Sequence, residues 1–195
     1  MNRRDFLKYA TASVLGMAFP TLLDESHVSA GEFSGFEPPI YKRFLQFTEY
    51  EPCPSIEDIV IHHSGFADGR DSTAEKIHKF HQEVNGWAGI GYHYFIRKDG
   101  MIEQGRLPHM VGAHAYHHNL TSIGICMSGN FEFQKPTEYQ MEAIKMLVAW
   151  LCRTNDLDPM KKGVIVGHRD VGDTRCPGEY LYRRLDEIRR DQTYR

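Results

Sequence analysis

The sequence predicts an α/β fold in a single domain, with a mixed central β-sheet flanked by helices. Three observations carry that expectation. Short β-branched runs recur at Ile59-Val60-Ile61, within SIGICMS at 122–128, and at Val164-Ile165-Val166. Between them lie segments with apolar residues at helical spacing, opened by Ser or Thr three positions before Glu or Gln. Around Lys98-Asp99-Gly100 two strands are joined by a tight turn. Strands separated by helices pair in parallel and the hairpin is antiparallel, so the sheet is mixed. With 195 residues, 41% of them hydrophobic, the chain has material for one real core. A net charge of −3 provides no basic field for nucleic acid.

The N-terminus reads as an address. Arg3-Arg4 precede Phe6-Leu7-Lys8, and an interrupted apolar run follows over 9–23. It is too short and too weakly apolar for a good membrane span. Val28-Ser29-Ala30 supplies small residues before Gly31. Residues 1–30 therefore resemble a twin-arginine export signal, which implies a periplasmic or secreted protein with no stable membrane anchor after cleavage. Residues 31–55 form a leader segment rich in Gly, Pro and aromatics, with a short helix expected over 40–47, and the main domain runs over 56–195. Four cysteines remain after residue 30, and an oxidising compartment permits a disulfide that the sequence does not assign. Cys126 and Cys152 lie in apolar runs and read as core.

The strand at 59–61 ends in His62-His63. Neighbours on a strand face opposite ways, so one of the pair at most serves a given site. His62 is a candidate ligand and His63 a core or supporting residue, although both also read as polar residues at a strand end. Ser72-Thr73-Ala74-Glu75 has the spacing of a capping box opening a helix to about Val84, with Ile77, Phe80, His81 and Val84 on one face. His78 and His81 read as ordinary helix residues. Residues 92–96 form a strand, and 101–104 return after the turn. Tyr92 enters that strand as a half-buried aromatic, and His114 sits in a Gly/Ala loop that lines a cleft or caps a turn. Thr137-Glu138-Tyr139-Gln140 is a second capping box, opening a helix to about Arg153 that Asn155 and Pro159 end. Ile144, Leu147, Val148 and Leu151 face the core. The last helix, about 178–191, turns Tyr180, Leu181, Leu185 and Ile188 inward.

The stretch VIVGHRDVGDTRCPG (164–178) organises the chemistry. His168 leaves a buried strand, and Cys176 follows eight positions later, braced by Pro177 and Gly178. Imidazole and thiolate are ligands that zinc takes readily, but two ligands are not a site. Taken alone, the stretch reads better as a capped loop with a structural histidine and a buried thiol. A metal-free thiol hydrolase built on Cys176, His168 and Asp170 is a further alternative, and it leaves His62 unused.

Four segments together change the weighing: IVIHHS (59–64), GWAGIGYHYFIRKDG (86–100), VGAHAY with TSIGICMSGNF (111–131), and VGHRDVGDTRCPG (166–178). In order and spacing they resemble the type 2 zinc-dependent N-acetylmuramoyl-L-alanine amidases, the family of peptidoglycan recognition proteins and phage lysozyme-like amidases. The resemblance covers roughly 56–185. It implies the fold of that family, one Zn²⁺ per chain on His62, His168 and Cys176, and Tyr92 at the catalytic centre. It implies hydrolysis of the amide between N-acetylmuramic acid and L-alanine by a metal-activated water. Thr174, two positions before the cysteine, matches the catalytic recognition proteins, whereas phage enzymes carry Lys there. Some relatives have Asp as third ligand and Glu where this chain has Cys126; with neither present, the general base stays open and Tyr92 is its first candidate. The partner implied is peptidoglycan or a muropeptide. Gly86, Trp87 and Arg106 accompany a preference for the diaminopimelate type in the recognition proteins, and an Arg fork suits the extra carboxylate. His114 is a candidate substrate contact. The alternative within the family is a recognition module that binds without cutting; such relatives have typically lost the cysteine that Cys176 retains.

Overall fold

The computed structural model describes residues 37–191. The expected export signal and residues 31–36 of the leader lie outside the described residues. Six strands form one mixed sheet: β1 (Ile40–Tyr41), β2 (Asp58–His63), β3 (Tyr94–Ile96), β4 (Ile102–Gln104), β5 (Ser122–Met127) and β6 (Ile165–Gly167). Their order across the sheet is β1-β4-β3-β5-β2-β6. Only β3–β4, the expected hairpin, is antiparallel; the other four pairings are parallel. Helix α1 (Ala74–Glu83) follows β2 and α2 (Glu138–Thr154) follows β5, while α3 (Glu179–Tyr182) and α4 (Leu185–Arg190) close the chain. Among the described residues no helix is long and apolar enough to cross a membrane.

The strands' period of two divides the core. Ile59, Ile61, Ile123, Ile125, Tyr94 and Ile96 face Ile144, Leu147, Val148 and Leu151 of α2, with Leu181, Leu185 and Ile188 of the terminal helices. On the other face Phe95 and Cys126 pack with Ala74 and Ile77 of α1, and Val60 packs with Ala115 and Val166. That second face carries His62, two residues beyond Val60. β6 is one of the two edge strands and is shielded, because Arg189 of α4 donates to the Ile165 carbonyl from Nε (3.0 Å) and Nη2 (2.7 Å).

Four sequence expectations need correction. No helix forms over 40–47: Arg43, Leu45 and Phe47 are half-buried and alternate with exposed Phe44 and Gln46, the period of extended chain. Ile40 and Tyr41 instead pair with β4. The cap of α1 is Thr73, whose side chain accepts from the Lys76 N–H at 3.2 Å. Glu75 is thus one place early for a capping box and pairs with Arg43. On α1, Phe80 and Val84 are exposed, and the buried stripe is Ala74, Ile77, His78 and His81. The last helix breaks between Tyr182 and Leu185, and Tyr180 lies exposed. All four cysteines are free, so no disulfide forms in the described structure.

The second capping box is present as expected. The Gln140 N–H donates to Thr137 Oγ1, and the Thr137 N–H donates to Gln140 Oε1, each at 3.1 Å. Thr137 Oγ1 also donates to the Lys98 carbonyl at 2.8 Å, tying α2 to the hairpin turn. Thr137→Ala is expected to lower the unfolding free energy by about 1–2 kcal/mol, the usual worth of such a cap. Urea unfolding followed by circular dichroism measures it, and an unchanged midpoint would contradict it.

Candidate metal centre

The centre is assembled at the carboxyl ends of β2 and β6. Ile61 stands opposite Gly167 in their parallel ladder, so one further step brings His62 beside His168. The two ring centroids are 4.6 Å apart. Cys176 returns to the same point on the loop after a short 3-10 turn at His168–Asp170. Its Sγ lies 3.7 Å from His62 Nδ1. One donor atom from each of His62, His168 and Cys176 lies within 4.8 Å of the others. Backbone contacts hold the thiol in place. The His63 N–H donates to Cys176 Sγ at 3.4 Å, the Cys176 N–H to Thr174 Oγ1 at 3.2 Å, and the Arg169 N–H to the Cys176 carbonyl at 2.8 Å. His63 itself faces away, and its Nδ1 accepts the Phe131 N–H at 3.1 Å.

The chemistry of this donor set fits zinc. Burial lowers the pKa of both His62 and His168, which keeps lone pairs on their rings. Burial also pushes the Cys176 thiol up to about 12. A thiolate is stable in such a place only against a cation that replaces its lost hydration. Two imidazoles and one thiolate are a set that zinc takes while keeping a fourth position open. Asp170 argues against a cysteine nucleophile: its oxygens accept from the Gly167 N–H (2.8 Å) and the Tyr182 hydroxyl (2.6 Å) and so are committed away from His168.

Tyr92 stands at the centre, its ring 5.2 Å from that of His62. Burial first, then the nearby Cys126 and Cys176 thiols, raise its pKa well above 10. A neutral hydroxyl at this place can donate a hydrogen bond. Its segment is fixed from α1: the Gly91 N–H donates to His81 Nδ1 (3.0 Å) and the Ile90 N–H to His78 Nδ1 (3.2 Å). These two histidines, ordinary helix residues on sequence, therefore aim Tyr92. Nothing in their helical spacing signals this, since their partners lie on another segment.

The remaining candidates are placed differently from one another. Gly86, at φ +69°, and Trp87, 42% exposed, lie at the surface, with Trp87 packed edge-on against His81 at 4.7 Å. Arg106 is 6% exposed and is neither a surface charge nor a free fork. Its Nε donates to the Ile90 carbonyl (2.8 Å) and its Nη1 to the Val111 carbonyl (2.6 Å), so it braces two loops. His114 is 8% exposed and sits behind His62 instead of lining a cleft, its Nδ1 3.0 Å from His62 Nε2. Beside Thr174, a charged cleft is lined by Glu132, Arg169, Arg175, Glu179 and Arg183. Glu132 pairs there with Arg169 at 3.4 Å and with Arg175.

The N-acetylmuramoyl-L-alanine amidase family matches residues 52–179. Peptidoglycan-recognition protein LB of Drosophila melanogaster is 36% identical over 137 residues, covering 67% of this chain and 57% of that protein. The chain thus spans little more than half the length of that relative. The endolysin of Enterobacteria phage T3 is 31% identical over 140 residues, covering 69% of this chain and 89% of the endolysin. Among solved structures, the endolysin N-acetylmuramoyl-L-alanine amidase LysCS of Clostridium intestinale superposes with a TM-score of 0.69 at 31% identity, over 78% of this chain and 95% of that one.

The buried histidines make stability pH-dependent. Burial pushes His81 and His93 from 6.5 down to about 4. The unfolded chain takes up their protons near 6.5 and the folded chain only near 4, so between these values the unfolded state binds more protons. Stability is therefore expected to be insensitive to these groups above about 6.5 and to fall as pH drops toward 4. The slope is about 1.4 kcal/mol per pH unit for each such proton. Urea unfolding of the chelated protein across this window measures the slope, and His81→Gln should reduce it.

Proposed function

The chain belongs to the N-acetylmuramoyl-L-alanine amidase family, and from that membership we propose that it is a zinc-dependent amidase rather than a recognition module. Its substrate is the amide joining N-acetylmuramic acid to L-alanine in the peptidoglycan stem peptide. The observation that carries this reading is the convergence of His62, His168 and Cys176 donors within 4.8 Å. A module that only binds has no need of a thiol buried against two neutral imidazoles.

In this mechanism His62, His168 and Cys176 hold the zinc, which supplies Lewis-acid activation of water and of the scissile carbonyl. The Tyr92 hydroxyl, kept protonated by burial, donates a hydrogen bond to the oxygen that gains charge as the carbonyl becomes tetrahedral. Thr174 acts first through the Cys176 N–H that its hydroxyl oxygen accepts, and its own proton is free for the substrate side. His78 and His81 keep Tyr92 from swinging out by holding the Ile90 and Gly91 amides. The Gly86-Trp87 pair, shared in resemblance with the recognition proteins, supports a preference for the diaminopimelate-type stem, and Arg106 contributes by bracing the Ile90 and Val111 loops. Export through the twin-arginine-type signal at residues 1–30 would deliver the folded enzyme to the compartment that holds this polymer.

The full chain with its signal removed is expected to carry about one zinc and to release stem peptide from diaminopimelate-type muropeptides. Chelation and Cys176→Ser should each abolish release. Tyr92→Phe should retain zinc and lower kcat by about 10²–10³-fold, as loss of one oxyanion donor does. Elemental analysis beside chromatographic detection of the free peptide reads all three. Zinc without cleavage would leave a recognition protein, and a wild type that takes no zinc would refute the ligand assignment.

A further inference from the structure

We propose that His114 is a positioning residue for the metal centre: it accepts the Nε2 proton of His62 and so turns the Nδ1 lone pair of His62 toward Cys176 and His168. The inference rests on the zinc reading above for its purpose, but its geometry stands by itself.

The direction of each hydrogen bond follows from the far end of the chain of contacts. Ser122 Oγ donates its single proton to the His118 carbonyl. It can therefore only accept from His114 Nε2, 3.5 Å away. A proton on Nε2 of a neutral ring leaves Nδ1 as acceptor. His62 Nε2, 3.0 Å from that atom, must then be the donor. Neutral His62 with its proton on Nε2 has its lone pair on Nδ1, the atom that faces Cys176 Sγ. No competing ring intrudes: the nearby His93 spends Nδ1 on the Gly124 N–H and Nε2 on the Met110 carbonyl.

The seat for His114 is built to its shape. A Cβ on Gly124 would lie 2.5 Å from the His114 ring, and one on Gly112 would lie 2.4 Å from it. The two glycines thus form a slot that only an unsubstituted backbone leaves open. Asn119 Oδ1 accepts both the His114 and the Ala115 N–H, at 2.7 and 2.8 Å, and fixes the loop at that point. A ligand imidazole whose second nitrogen is held by an oriented partner binds its metal more tightly than a free one.

The test uses two variants of His114 in the otherwise intact protein. His114→Leu removes the acceptor; His114→Asn restores an oxygen at the Nδ1 position. In the metal-free protein, long-range proton–nitrogen correlation reads the His62 tautomer. The wild type and His114→Asn should show His62 protonated on Nε2, and His114→Leu should show the Nδ1-protonated form. Competition with a chromophoric chelator then reads zinc affinity, expected to fall about 10–100-fold in His114→Leu and to recover most of that loss in His114→Asn. Should His114→Leu fail to fold, His114→Gln replaces it: its amide reaches the Nε2 position and leaves the Nδ1 position empty, so it should shift the His62 tautomer in the same direction. An unchanged tautomer in these variants, or a folded His114→Asn that loses as much affinity as His114→Leu, would overturn the proposal. If the tautomer switches as expected while the wild type binds no zinc, the amidase reading falls and the His114–His62 relation stands.

Discussion

The parallel register of β2 between β5 and β6 is the constraint on which the rest depends. A parallel ladder brings equivalent ends of strands together, and here it aligns three carboxyl ends. His62, paired with Cys126, comes one step past the last β2–β6 pair and meets His168 there. A slip of one residue would turn His62 to the α2 face and bring His63 to the centre. The register is held by two packed faces at once. Ile59 and Ile61 are committed to α2 on one side, and Val60 is committed to Val166 and Ala115 on the other. The largely hydrophobic core thus does the positioning, and the reactive side chains lie at the point where it runs out.

Around that point the protein buries an unusual number of imidazoles and satisfies them with backbone groups. His63, His78, His81 and His93 each accept a main-chain N–H, from Phe131, Ile90, Gly91 and Gly124 respectively. Each bond joins segments distant in sequence, so the histidines act as clips between α1, the entry to β3, and β5. A buried ring that accepts a backbone N–H must remain neutral at that nitrogen, and burial keeps it so. The same physics that makes these rings good clips makes His62 and His168 good ligands. What separates the two groups is the partner: an amide for the clips, a thiol and a second imidazole for the ligands.

Much of the fold was legible in advance because its signals are local. The β-branched runs, the hairpin turn at Lys98-Asp99-Gly100 and the capping box at Thr137 each act within a few residues, and each forms as read. The errors fell where a local pattern competed with a distant partner. Glu75 has capping-box spacing from Ser72, but the Ser72 N–H is taken by Ser128 Oγ at 2.8 Å and Thr73 becomes the cap. The segment over 40–47 has no strong period of its own, and pairing with β4 decided its state. Phe80 and Val84 have helical spacing with Ile77, yet the sheet meets α1 through Ala74 and Ile77, and His78 is turned inward by the Ile90 N–H and the Gln46 carbonyl.

For the centre, the sequence by itself determined the residue types and their order: a His pair ending one strand, a His leaving another, a Cys eight positions on. Those features are enough for family resemblance, because they depend on chemistry and spacing alone. Only the tertiary structure decided how each side chain is held. Arg106 became a brace because two carbonyls lay within reach, His114 a support for His62 because Gly112 and Gly124 left it a slot, and Tyr92 a neighbour of His62 because the Ile90 and Gly91 amides are clipped to His78 and His81. The hydrogen bonds of His62 belong to pairs that the chain brings together over 52 positions for His114 and 114 for Cys176, and no short window of sequence contains both members of such a pair.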